Sequence, residues 1–302
     1  MFGISGPVAA ALLSVYVFWG GTFLAARFAL ESMPPLMVTS TRFLVAGLLL
    51  YAFLWMRGLD RTGCKEWKNA AISGFLLLVS GNGVLVWGQQ YIPSGIASII
   101  PGANPMWIIL FLWLGGKISK PDAATLTGLL LGLTGIMLLA GRAAAEGDGN
   151  YLLGICLAVT GSISWSAGSV YSKLSDKPKH PLQWAAMQMI CGGSVLMALA
   201  LLSGQWQKLD PADISAKSAG AVLYLIFCGS LFGYASYIWL LNNTSPSLAG
   251  THAYVNPIVA VFVGRLFASE ILVAREATAA SVIVSAVALI TMGNNRTAKT
   301  EN

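Results

Sequence analysis

Charge is scarce in this chain: Lys, Arg, Asp and Glu make up 10% of its 302 residues, against 56% hydrophobic ones. Soluble domains carry roughly 25% charged residues, so the composition excludes a soluble fold. Carboxylates are missing where a proton relay would need them. Every Asp and Glu falls in or beside an expected loop, whereas the relays of pumps rely on acids or His inside the membrane. Histidine occurs only as His180 and His252, far apart in sequence. Without clustered acids or a nucleophile–base pair, the parts of an active site are absent, and no enzyme is expected. Cys64, Cys156, Cys191 and Cys228 are scattered and give neither a disulfide framework nor a metal-ligand spacing. No cofactor and no metal are implied.

What the chain has is apolar sequence in long runs. Residues 69–116 and 218–264 contain no Lys, Arg, Asp or Glu, and each is about twice the ~20 residues of one membrane span. Each must fold back once, the first through Gln89-Gln90-Tyr91-Ile92-Pro93-Ser94-Gly95 and the second through Leu241-Asn242-Asn243-Thr244-Ser245-Pro246, both uncharged turns containing Pro. Single spans are expected at 7–30, 35–56, 123–141, 150–172, 182–203 and 277–293. The expected fold class is therefore all-α integral membrane, with about ten transmembrane helices. The first span lacks a basic leading segment, and its apolar stretch is longer than that of a cleaved signal peptide. With the N-terminus inside, eleven Lys and Arg face the cytoplasm and six the outside, and Arg42 lies within a span. That bias places both termini in the cytoplasm. The net charge of +6 expresses this topology, and no soluble domain carries a basic face for nucleic acid.

The chain also reads as one unit written twice. Asn104-Pro105 and Asn256-Pro257 stand 152 residues apart, and the same offset carries Gly81 onto Gly233 and Trp87 onto Trp239. A slightly shorter offset carries Trp19 onto Trp165, Arg27 onto Lys173, Pro35 onto Pro181 and Gly47 onto Gly193. The units are 1–148 and 149–302, together one transport domain. With five spans each, an odd number, the second must be inverted relative to the first. Inverted repeats with Pro-interrupted helices at their junction are the sign of a transporter.

Several residues are candidates for the solute path. Pro105 and Pro257 break helical hydrogen bonding, and the freed backbone groups need protein or a wet cavity; Asn104 and Asn256 precede them. Trp19 and Trp165 sit mid-span, away from the interfacial belts where Trp is usual. Each shares a helix face with a hydroxyl, Thr22 and Ser169. Packing against small neighbours is the alternative for both. Asn82 lies between Gly81 and Gly83, and its counterpart in the second unit is Tyr234. His252 precedes Asn256 by one turn and is the mid-span group able to titrate. Arg42 lies ~10 Å into its span at 1.5 Å per residue. It either snorkels to the surface or holds a positive charge that attracts a carboxylate. Gly128 and Gly132, with Gly135 one turn on, favour close helix packing within the chain or in a dimer.

Trp19-Gly20-Gly21-Thr22-Phe23 with Arg27, Pro34-Pro35-Leu36-Met37 and Arg42-Phe43-Leu44 resemble the opening of an EamA-type member of the drug/metabolite transporter superfamily. Gly81-Asn82-Gly83, Pro93-Ser94-Gly95-Ile96-Ala97, Gly161-Ser162-Ile163-Ser164-Trp165 and Ala253-Tyr254-Val255-Asn256-Pro257 extend the resemblance over nearly the whole chain. It is strongest to the YedA-like branch. The resemblance implies ten helices in two inverted five-helix repeats around a central cavity, a bacterial inner-membrane location, and export of small metabolites, amino acids or amphipathic drugs. It also implies a Glu at the ends of the fourth and ninth spans. Glu270 matches the second place, whereas the first holds Gly116-Lys117.

The combined expectation is a secondary carrier, working by alternating access, of small amphipathic metabolites such as hydrophobic or aromatic amino acids. The substrate-binding set is Trp19, Thr22, Arg42, Asn82, Asn104, Trp165, Ser169, Tyr234, His252 and Asn256, with helix breaks at Pro105 and Pro257. Its partners are the small-molecule substrate and the lipid bilayer, with no nucleic acid, and the protein works as a monomer or a dimer. An efflux carrier for drug-like amphiphiles, or a non-transporting assembly or receptor protein, would share the same pattern.

Overall fold

The computed structural model describes residues 5–59, 61–118, 123–146, 149–207, 209–244, 249, 251–269, 274 and 277–286, with backbone alone at 124, 136, 139–146, 253 and 254. Helices follow one another along the chain: α1 (Gly6–Ala29), α2 (Pro35–Met56), α3 (Cys64–Gly88), α4 (Ser94–Leu114), α5 (Ala123–Glu146), α6 (Gly149–Leu174), α7 (Pro181–Leu202), α8 (Ala216–Asn243), α9 (His252–Ala268) and α10 (Ala277–Ala286). No strand occurs among the described residues. Seven of the helices, α1 to α4 and α6 to α8, are long and apolar enough to cross a membrane. The other three expected spans coincide with shorter apolar stretches, Thr125–Gly135, Val255–Ala268 and Ala277–Ala286. Residues 245–246 of the second turn, the end of the last span, Glu270 and the junction at 147–148 lie outside the described residues.

The sequence writes the helix ends. Pro35 and Pro181 open α2 and α7, where the fixed φ of Pro is already helical and its missing N–H costs nothing. Both helices stop at a glycine in the left-handed region, Gly58 at φ 84° and Gly204 at φ 72°, where a side chain would be strained. The hydroxyl of Ser215 accepts from the Ser218 backbone N–H and caps α8. Glu66 accepts from the Gly63 N–H at the start of α3.

Glycine decides which helices touch. A Cβ on Gly47 would lie 2.8 Å from Ile190 N, and one on Gly193 2.6 Å from Leu44 N, so α2 and α7 cross backbone against backbone. Gly74, Gly81 and Gly88 on α3 recur every seven residues, as do Gly154, Gly161 and Gly168 on α6. The two helices run antiparallel: a Cβ on Gly88 would lie 2.9 Å from Gly154 O, and one on Gly161 2.6 Å from Gly81 O. Without a hydrophobic drive between helices in lipid, such small residues allow the close packing that holds them. Gly132 and Gly135 serve the same end within the chain, against Met106 and against Ile283 of α10.

Among the described residues, three helices contain a π-helical stretch: Val15–Trp19 in α1, Phe75–Gly83 in α3 and Leu225–Tyr234 in α8. The two prolines are placed differently. Pro105 stands in the first turn of the α-helical part of α4, just after the 3-10 segment Ile100–Ala103. There its missing N–H is tolerated, and the departure from α geometry lies upstream of it. Pro257 lies inside α9, which continues as helix on both sides. At two ends of the bundle, ion pairs join a helix start to the segment after a neighbour: Lys65 to Asp176 at 2.6 Å, and Lys217 to Glu31 at 2.6 Å. The ammonium of Lys65 holds the Asp176 carboxyl below its ordinary value. Leu13, Phe53, Trp55, Phe232 and Phe262 point outward, as expected of helices solvated by lipid tails.

Candidate functional site

The centre of the bundle holds a cavity walled by α1, α2, α3, α4, α6, α8 and α9. Trp19 ends the π turn of α1 and donates its indole N–H to Gly229 O of α8 at 2.9 Å. A Cβ on Gly233 would lie 2.5 Å from the same indole, so only glycine admits the ring there. Trp165 of α6 meets Gly81 of α3 through its main chain instead, where a Cβ would lie 3.3 Å from the Trp165 Cα and 3.4 Å from its Cβ. The two indoles meet edge to face, centroids 5.7 Å apart at 79°. Tyr237 and His252 complete the cluster, at 5.0 Å and 5.4 Å from Trp19 and 5.3 Å from each other. His252 Nδ1 lies 2.8 Å from Ala249 O. A carbonyl only accepts, so Nδ1 carries a proton in this contact.

Arg42 does not snorkel. Its side chain is buried, with Nε donating to Ser230 Oγ at 2.9 Å and Nη1 to Asn82 Oδ1 at 3.5 Å, and it lies over the Phe43 ring at 4.7 Å. Each of these partners is neutral. The described carboxylates lie elsewhere: Glu31 pairs with Lys217, Asp176 with Lys65, Glu66 with Gly63 and Asp210 with Ala212, and Asp213 is exposed at the surface. An unpaired buried ion costs several kcal/mol even after relaxation, so Arg42 is retained at a price in stability.

The amides behave differently from one another. Asn104, at the end of the 3-10 segment, accepts from Ser162 Oγ at 2.6 Å through its side chain and from Ser166 Oγ at 3.2 Å through its carbonyl. Asn256 is buried on the cavity wall, and its Oδ1 has no hydrogen-bond partner. Tyr234 donates to Gln188 Oε1 at 2.7 Å, and Gln188 Nε2 in turn donates to Ser73 and Ser172 at 2.8 Å and 2.9 Å. That network is satisfied and fixes the wall rather than offering groups to a solute.

Of the residues expected on the path, Trp19, Thr22, Arg42, Asn82, Asn104, Trp165, Tyr234, His252, Asn256 and Pro257 surround this one cavity. Ser169 does not: its hydroxyl turns back to Trp165 O at 2.9 Å and meets the Tyr237 hydroxyl behind the wall. Pro105 is likewise outside the lining. Sequence reasoning missed Phe23, Ser98, Ser162 and Gln89, which also line the cavity. Gln89 was read as part of a turn, yet it is buried and donates to Phe23 O at 2.9 Å, tying α3 to α1. The cavity runs from the aromatic cluster along Trp19–Ala26 and Gly81–Gln89, toward the ends at which α1 and α3 finish. It is slender: its empty space is ≈ 810 Å³ with the mouth included, but the room for the centre of a water molecule is only ≈ 80 Å³.

Three comparisons bear on this arrangement. The model of the EamA-like transporter family matches residues 6–141 and again 152–292. The Escherichia coli K12 protein called uncharacterized inner membrane transporter YedA is 38% identical over 288 residues, covering 95% of this chain and 91% of that protein. The uncharacterized transporter YoaV of Bacillus subtilis is 23% identical over 256 residues, covering 84% and 86%. A solved crystal structure superposes with a TM-score of 0.67 at 18% identity, covering 96% of this chain and 99% of the other, a likeness of fold.

Proposed function

The chain belongs to the EamA-like transporter family, a multi-pass membrane transporter rather than an enzyme, and from that premise we propose that it is a secondary carrier for small amphipathic metabolites, hydrophobic or aromatic amino acids first among them. The observation that carries this reading is the meeting of Trp19 and Trp165 at 5.7 Å over a cavity that amides and hydroxyls also line. Flat apolar groups pack on such rings, while Asn82, Asn104 and Thr22 suit a polar end. The slender cavity favours a small or flat solute over a bulky drug-like amphiphile, which would have to spread the helices.

Alternating access follows from the repeats. We read the chain as ten spans in two inverted halves, with both termini in the cytoplasm of a bacterial inner membrane and the monomer as the working unit. Support comes from the crossed packing: the first helix of each half passes the equivalent glycine of the other half at its Trp, Trp19 meeting Gly233 with its ring and Trp165 meeting Gly81 with its Cα and Cβ. The π stretches Phe75–Gly83 and Leu225–Tyr234 and the crossing glycines Gly47 and Gly193 fall at equivalent places too. Exchange of packing between two such halves around a fixed site opens the cavity to either side in turn. In outward transport, solute enters from the cytoplasm and leaves down its gradient. Among the described residues no carboxylate faces the cavity, which favours facilitated efflux over proton antiport.

Solute counterflow in liposomes containing the purified protein tests the reading. Uptake of labelled phenylalanine or tryptophan should saturate and be stimulated by unlabelled solute on the far side. Flux without saturation indicates a channel, and no flux across a broad solute panel would leave a non-transporting membrane partner.

A further inference from the structure

The carrier reading leaves open which chemical group holds the solute, and two features of the cavity wall settle on one. Arg42 is a buried cation whose partners are the Ser230 hydroxyl, the Asn82 amide oxygen and the Phe43 ring. Only Nε and Nη1 donate to protein groups, while Nη2 has no hydrogen bond among the described residues and lies beside Gly229, where a Cβ would come within 2.9 Å of it. Gly229 thus lets the guanidinium head and the Thr22 methyl lie close against the backbone of α8, while Arg42 itself lines the cavity. Thr22 and Trp19 adjoin the same glycine, the one by a methyl and the other through its indole N–H. The second feature is Asn256 Oδ1, a buried acceptor without a partner on the opposing helix α9. α9 runs along α1 beside Trp19, since His252 packs on that ring and Val259 packs on Gly20.

We propose that the carrier selects solutes by a carboxylate, which Arg42 binds as the counter-ion that none of the described residues supplies, while Asn256 Oδ1 accepts from a donor elsewhere on the same solute. The proposal rests on the carrier reading and narrows it to small carboxylates with a flat apolar body. A guanidinium matches a carboxylate with two parallel hydrogen bonds, and the pair neutralises a buried charge whose partners among the described residues are all neutral. Ser230 and Asn82 hold the fork in orientation. The binding is non-covalent, and Arg42 keeps its proton throughout. Cationic amphiphiles, which repel Arg42, are excluded.

Four ligands of one shape test this on the unmodified protein: phenylalanine, hydrocinnamate, phenylalaninamide and phenethylamine, scored by thermal stabilisation and by calorimetry in detergent. The two carboxylates should bind, and the two compounds without a carboxylate should bind at least about 10-fold more weakly, the loss expected for a charge-assisted hydrogen bond. Arg42→Gln should erase the difference, and Arg42→Lys should keep part of it, because the charge remains but the fork does not. Phenylalaninamide binding as tightly as phenylalanine would overturn the carboxylate site and leave the carrier intact. So would failure of all four to bind while another solute exchanges in liposomes. Absence of exchange for every solute would instead remove the carrier reading, and this proposal with it.

Discussion

Gly161→Ala isolates the packing that holds the two halves together. A Cβ at residue 161 would lie 2.6 Å from Gly81 O, 3.2 Å from Leu85 N and 3.3 Å from Leu85 Cβ. Two of these atoms are backbone, so no side chain can swing aside and α3 and α6 must part by several tenths of an ångström. Overpacking of this kind costs about 1–3 kcal/mol. Alanine also gains about 1 kcal/mol in helix propensity over glycine, which would hide part of the loss. Gly220→Ala on α8 supplies the correction, because a Cβ there meets nothing within 4 Å. The difference between the two variants is the cost of the clash alone, about 1–3 kcal/mol against Gly161→Ala. Equilibrium unfolding in one mixed-micelle system, or ranked melting temperatures where unfolding is irreversible, measures it. Equal stability of the two alanine variants would refute the close approach of α3 and α6.

Cysteine labelling in intact cells, in a background lacking the native cysteines, tests the orientation. Lys179→Cys should react only after the inner membrane is breached, and Ala212→Cys should react from outside; the reverse pattern would invert the topology. Solute exchange should proceed at similar rates with and without an imposed pH gradient. Whatever exchange His252→Gln retains should be equally insensitive to the pH gradient, since an amide takes up no proton near neutral pH. Accumulation driven by a pH gradient in that variant would place the proton on another group or on the solute.

Much of this arrangement is written plainly in the residue order, for a physical reason. Lipid admits few charges, so the charge-free runs 69–116 and 218–264 had to be hairpins, and α3 with α4 bears this out in the first. A polar residue kept inside an apolar helix needs a wet or polar neighbour, which is why Arg42, Asn82, Asn104 and Asn256 lead to one cavity. Ser169 shows where that logic stops: a hydroxyl satisfies itself on the carbonyl four residues earlier, at 2.9 Å from Trp165 O, and needs no cavity. The π stretches were not legible, because they carry no composition of their own, although Trp19, Gly81 and Gly233 fall within them. Nor was the partner of each glycine: the offset equates Gly81 with Gly233, but only the folded chain sets each against the other half's tryptophan. Gln89 was hidden by its uncharged, Pro-containing turn, which resembles an exposed loop until α1 is seen to cover it.

The central claim is that solute packs on the rings of Trp19 and Trp165 at the cavity wall, and transport by leucine variants tests it most directly. Leucine keeps part of the volume but removes the ring and, at Trp19, the hydrogen bond to Gly229 O. Trp55→Leu, at an outward-facing tryptophan on α2, is the control for loss of an indole as such. In liposomes with matched amounts of folded protein, counterflow should fall about 2- to 13-fold in Trp19→Leu and in Trp165→Leu, in line with the loss of an aromatic contact worth about 0.5–1.5 kcal/mol to the solute, and stay unchanged in Trp55→Leu. Folded Trp19→Leu and Trp165→Leu proteins that exchange solute as fast as the Trp55→Leu control would assign the pair to packing and contradict the account.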